Sequence, residues 1–157
     1  MFPEWKNWRH VVKLDPDKPA NESLIEQVVA SGTDAIIVGG TQNITREKVL
    51  KLFRLLKPYP LPKILEVSAI DAITFGFDGY LIPVVLNAGH PKWLIGAHKD
   101  AVKLIGELMD WTEVLPEGYI ILNPDCAAAK LRKAIFPLDK EDILAYARCG
   151  EKLFSLP

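Results

Sequence analysis

The chain has 157 residues, 49% of them hydrophobic and 25% charged, with a net charge of -1. That is enough apolar material for one ordinary domain with a sizeable core, and it excludes a disordered chain. The near-zero charge gives no electrostatic footing for nucleic acid as the main partner.

His10 to Asp15, HVVKLD, is the first predicted strand. A polar loop with Pro16 and Pro19 follows, and Asn21 is placed to cap a helix through NESLIEQVVASG. Leu24, Ile25, Val28 and Val29 fall at helical spacing, and Gly32 closes the segment. DAIIVGG, from Asp34, is the second strand. Thr45 opens a helix with Val49, Leu50, Leu52, Phe53 and Leu56 on its apolar stripe, ended by Pro58, Pro60 and Pro62. Lys63 to Ser68 predicts a third strand, and Ala69 to Phe75 a weak helix broken by Gly76 and Gly79. Tyr80 to Asn87 predicts a fourth strand despite Pro83. A long helix over Lys92 to Met109 comes next, then a fifth strand over Tyr119 to Asn123. Small helices over Ala127 to Ala134 and Lys140 to Leu153 complete the pattern.

Strands that alternate with helices, and are themselves near-continuous apolar runs, argue an α/β fold with a parallel sheet. No linker or charge block marks a second domain, so residues 1–157 are expected as one. An open doubly wound sheet and part of a (β/α)₈ barrel compete. A full barrel takes about 250 residues, so spacing alone favours the open sheet.

The first two strands carry the candidate chemistry. Lys13 and Asp15 are two places apart, so in a strand they share a face. Aiming both at a core would be costly, which puts them at a strand end, facing ligand or water. The second strand stops at Gly39-Gly40-Thr41, where small residues let a backbone approach a ligand and Thr41 adds a hydroxyl. Together they suggest a site for phosphate and a divalent metal. Each feature also has a plainer reading: a Lys13–Asp15 salt bridge, an ordinary glycine turn, and Glu66 on the third strand as a structural carboxylate. His90 and His98 are too far apart for a metal pair, and no HExxH or cysteine cluster exists. Asp125 is expected to cap the Ala127 helix, and Cys126 to pack. Trp5, Trp8, Trp93 and Trp111 are expected as packing residues, with an oligomer contact equally open for Trp93 and Trp111, which flank the long helix. Two cysteines, Cys126 and Cys149, make no disulfide framework, so a reduced, cytoplasmic setting is expected. MFPEWKNWRH lacks the apolar centre of a signal peptide, and no apolar run is long enough for a bilayer.

Five blocks read together are more specific: WRHVVKLDP, SGTDAIIVGGT, LEVSAIDAI, GFDGYLIPVVLN and GYIILNPDCAAAKL. They resemble the bacterial PcrB family of heptaprenylglyceryl phosphate synthases, relatives of the archaeal geranylgeranylglyceryl phosphate synthases. The resemblance implies a modified TIM barrel. It implies Mg²⁺-dependent transfer of a long prenyl group from its diphosphate to the 3-hydroxyl of sn-glycerol 1-phosphate, in ether-lipid synthesis. It implies a soluble homodimer, with membrane contact only transient and through the lipid product. It implies Lys13 as the glycerol-phosphate lysine, and Asp15 and Thr41 as metal residues. Ala101 corresponds to the position that limits prenyl length in the archaeal relatives, and Leu81, Ile82, Val84 and Val85 could line the groove with it. Glu66 is the one similarly placed carboxylate for a base. The family's Tyr-Leu-Glu-Tyr strand and its two later glycine loops have no counterpart here. The expectation is therefore about five of eight strands, from a truncated enzyme or a short natural form, with sheet edges that need covering. A catalytically inactive module that binds prenyl diphosphate or serves assembly stays open, as does another phosphate-handling TIM-barrel enzyme.

Overall fold

The computed structural model describes residues 4–156; the first three residues of MFPEWKNWRH, and Pro157, lie outside the described residues. Among these, β1 (Val11–Leu14) pairs in parallel with β2 (Ala35–Val38), β2 with β3 (Lys63–Glu66), and β3 with β4 (Gly79–Val85). β5 (Val114–Tyr119) completes the order β1-β2-β3-β4-β5. Spatial order thus follows chain order. A doubly wound sheet would reverse direction at its middle, whereas stepwise β/α progression is the winding of a barrel. The fold is α/β of the TIM-barrel type, with five strands among the described residues. The open sheet that spacing alone favoured is ruled out by the strand order, which spacing does not encode.

The chain divides into two compact units, one running to Ile82 and including Asp110–Leu115, the other formed by Pro83–Met109 and the residues from Pro116 onward. In the first, α1 (Glu22–Ala30) and α2 (Arg46–Leu56) follow β1 and β2. Asn21 and Thr45 cap them as expected, their side chains accepting from the N–H groups of Leu24 and Lys48. Val49, Leu52 and Leu56 form the buried stripe of α2, and β2 buries Ala35, Ile36 and Val38. Each Val, Ile or Leu side chain among these contributes about 1.5–3 kcal/mol when fully buried. Phe53, Phe77 and Tyr80 pack in series, the first pair tilted and the second edge-on, with centroid separations of 4.5 and 6.5 Å. At the start of β1, Asp34 Oδ2 accepts from the N–H groups of Arg9 and His10 at 2.6 and 2.9 Å.

In the second unit the long helix expected over Lys92 to Met109 is broken. A 3-10 turn spans Pro91–Trp93, α3 runs Gly96–Ile105, and a second 3-10 turn takes Gly106–Leu108. Ile95 has φ -146°, outside the helical region, and Gly96 and Gly106 are poor helix residues at the two breaks. The strand expected over Tyr119 to Asn123 lies earlier, over Val114–Tyr119. The reason is Asn87: its amide accepts from Ile121 N–H and donates to Ile121 C=O, both at 2.9 Å. A side chain thus satisfies the backbone that would otherwise seek a strand partner. α4 (Ala127–Arg132) is capped not by Asp125 but by Cys126, whose Sγ accepts from Ala129 N–H at 3.4 Å. Cys126 also packs against the core of Val85, Ala88, Ile121 and Ala129, as do Trp93 and Phe136. α5 (Lys140–Leu153) spans the expected residues and begins with a reciprocal Asp139–Asp142 capping box. Among the described residues no helix is long and apolar enough to cross a membrane.

Candidate phosphate and metal site

In the first unit, Leu14 pairs with Val38 and Val38 with Leu65, so Asp15, Gly39 and Glu66 follow at one level where three strands end. Parallel strands deliver their carboxyl ends to the same side, where α/β proteins place their ligands. Lys13 reaches a carboxylate on another strand. Its ammonium forms an ion pair with Glu66 Oε2, reaching from β1 to β3. The Glu66 side chain is 10% exposed and that of Lys13 40%, so a buried carboxylate holds a cation that emerges towards solvent.

The double glycine makes room for this. A Cβ on Gly39 would stand 2.7 Å from both Cβ and Oε2 of Glu66. A Cβ on Gly40 would stand 2.5 Å from Oδ1 and 2.8 Å from Oδ2 of Asp15. Both approaches are closer than carbon and oxygen tolerate, so the two carboxylates occupy space that only glycine leaves free. Thr41 follows directly and is partly buried. The structure therefore brings together Lys13, Asp15, Glu66 and the Gly-Gly-Thr turn. Ala101, by contrast, lies partly buried on α3 in the other unit. Of the proposed groove residues, Leu81 and Val85 are buried and Ile82 and Val84 partly so.

The loops after β1 and β2 are tied to each other. Asp15 Oδ1 accepts from Asp17 N–H at 2.9 Å, an Asx turn. Asp17 in turn takes Lys48 Nζ at 2.6 Å and Asn43 Nδ2 at 3.4 Å, and Lys48 also donates to Asn43 C=O at 2.9 Å. The Lys48 hydrogen bond, then that of Asn43, hold the Asp17 carboxyl below the usual carboxylate range. Asn43, at φ 54°, sits in the left-handed region that Asn tolerates. Sequence reasoning missed this stitch. The D-P-D pattern signals the Asx turn, but nothing signals a partner 31 residues away.

Among the described residues no three His, Cys, Asp or Glu side chains group to hold a metal. One carboxylate braced on glycine and one hydroxyl are hard oxygen donors, and they suit Mg²⁺, which keeps its waters and takes substrate oxygens. They do not suit zinc. His90 Nδ1 accepts from Lys92 N–H, and the two ring nitrogens of His98 lie 2.9 Å from the C=O groups of Leu94 and Pro83, of which a neutral imidazole can bond one.

A model of the PcrB family matches residues 3–157. The heptaprenylglyceryl phosphate synthase of Geobacillus kaustophilus is 50% identical over 154 residues, covering 98% of this chain and 64% of its own length. That of Bacillus licheniformis is 51% identical over 150 residues, covering 96% of this chain and 66% of its own. The chain thus spans slightly under two thirds of the length of these relatives. Among solved structures, a wild-type GGGPS from Thermoplasma volcanium superposes with a TM-score of 0.80 at 22% identity, covering 93% of this chain and 60% of the other. The (S)-3-O-geranylgeranylglyceryl phosphate synthase of Thermoplasma acidophilum, solved with sn-glycerol-1-phosphate, gives 0.81 at 24%, covering 96% and 63%. At these identities the two structures establish the fold.

Proposed function

Because the chain belongs to the PcrB family, we propose that it serves transfer of a heptaprenyl group from its diphosphate to the 3-hydroxyl of sn-glycerol 1-phosphate. The observation that supports this reading is the strand-end cluster: Lys13 paired with Glu66, and the carboxylates of Glu66 and Asp15 packed on Gly39 and Gly40. In the reaction the allylic carbon–oxygen bond to diphosphate breaks, the glycerol oxygen bonds to that carbon, and the hydroxyl proton leaves. Negative charge builds on the departing diphosphate. A bound Mg²⁺ would neutralise it. Asp15, with Thr41, is the residue set to hold that ion, and Lys13 supplies a fixed positive charge to phosphate. Ala101, a small residue on α3, is assigned to the prenyl groove. The homodimer implied by the resemblance belongs to the same reading.

The test is an assay of the 157-residue chain with glycerol 1-phosphate, heptaprenyl diphosphate and Mg²⁺, with product identified by mass. Prenylated glycerol phosphate that vanishes on chelation supports the reading. Binding of prenyl diphosphate without turnover selects the non-catalytic module instead, and turnover retained by Asp15→Ala overturns the metal assignment. Sedimentation of the same chain reports on the dimer.

A further inference from the structure

We propose that Glu66 is a positioning residue: from its buried place at the end of β3 it fixes the Lys13 ammonium over the end of β2, facing the phosphate of glycerol 1-phosphate. The proposal rests on the prenyl-transfer reading and deepens it. Three observations converge. Glu66 Oε2 is occupied by Lys13, so this oxygen is engaged in holding a cation and is not open to a substrate hydroxyl. The burial is one-sided: Glu66 is 9% exposed, while the lysine it holds is an exposed residue of β1. Gly39 lies beneath them without a side chain, in the space Glu66 needs to reach across. A lysine on a four-carbon stem samples many positions unless something restrains it. A buried carboxylate at the far strand is such a restraint, set before substrate arrives. An ammonium carries three donors, so an ion pair with a carboxylate and a contact to a phosphate are compatible in one lysine.

Two variants separate geometry from charge. Glu66→Asp keeps the charge and draws the carboxylate back by one methylene. Glu66→Gln keeps the reach and removes the charge. The measurement is the ¹⁵Nζ resonance of Lys13 in the 157-residue chain, assigned through Lys13→Met and titrated with glycerol 1-phosphate, with thermal melts alongside. Both Glu66 variants are expected to weaken binding about tenfold, the scale of one misplaced charge-assisted contact, while remaining folded. Glu66→Asp binding like the parent chain overturns the proposal, since charge without geometry then suffices. A lowered melting temperature with unchanged affinity also overturns it, as does a Lys13 resonance that glycerol 1-phosphate does not move. If the variants do not fold, the parent chain decides: an ammonium already ordered before ligand supports the proposal, and a mobile one overturns it. The prenyl-transfer assay keeps the two failures apart. Product formed at the parental rate by Glu66→Asp removes only the positioning role, whereas no product from any chain removes the reading beneath it.

Discussion

The carboxylate of Asp15 lies against the backbone of Gly40, so close that a Cβ there would stand 2.5 Å from Oδ1. The relationship makes glycine and aspartate a coupled pair. Gly40→Ala must push Asp15 away from its Asx turn or shift the backbone, and overpacking of this kind costs about 1–3 kcal/mol. Asp15→Ala removes the atoms that would clash. The double variant is therefore expected to be less destabilised than the sum of the singles, and a thermodynamic cycle from urea unfolding measures the difference. Strict additivity would show that the two residues do not constrain each other.

A second expectation concerns the stitch between loops. Lys48→Met removes the cation that joins Asp17 to Asn43. The Asx turn that holds Asp15 then loses its outer support. On the proposed assignment of Asp15 to the metal, residues that orient such a ligand cost about 10–100-fold in affinity when removed, and this part-buried stitch, one step behind Asp15, belongs at the lower end. The expected result is about tenfold weaker Mg²⁺ dependence of turnover, with little change in melting temperature. A large thermal loss with unchanged Mg²⁺ response would instead make the stitch purely structural.

What the sequence displays of this site is its list of residues, and what it hides is their pairing. HVVKLD and DAIIVGGT announce two strand ends, because apolar runs that stop at polar or glycine residues are a local signal. The ion pair of Lys13 with Glu66 is not local. Within one strand, Asp15 is the nearer carboxylate along the chain, yet parallel register carries β3 alongside and offers Glu66 from across the sheet. The same limit explains the displaced fifth strand. YIILN has strand composition, but Asn87 satisfies its backbone with a side chain, 34 residues away. Caps were legible at Asn21 and Thr45 because they depend on residues within one turn, and that at Cys126 was not, because a thiol is an uncommon cap.

Acid should loosen the start of β1. Hydrogen bonds from His10 N–H and Arg9 N–H hold the Asp34 carboxyl below its ordinary value of 3.8. The unfolded chain therefore takes up the proton first as pH falls. The contribution of Asp34 to stability is complete above 3.8 and is lost as pH drops through the lowered native value. Melting temperatures of the parent chain and Asp34→Asn should differ at pH 7 and converge towards pH about 2. A gap that stays constant across that range would rule out ionisation of Asp34 as the source.

In the second unit, Asn87 is fully buried and exchanges two hydrogen bonds with Ile121. Asn87→Ala leaves an N–H and a C=O of Ile121 buried without partners, each costing about 1–3 kcal/mol. A total loss of about 2–6 kcal/mol is expected in urea unfolding. Asn87→Asp should be at least as harmful: it keeps an acceptor for Ile121 N–H, loses the donor to Ile121 C=O, and buries a charge. Hydrogen exchange gives the local signature, since the Ile121 amide should lose protection in Asn87→Ala and keep part of it in Asn87→Asp. Equal protection in both variants would mean that the Asn87 oxygen is not what holds the segment after β5.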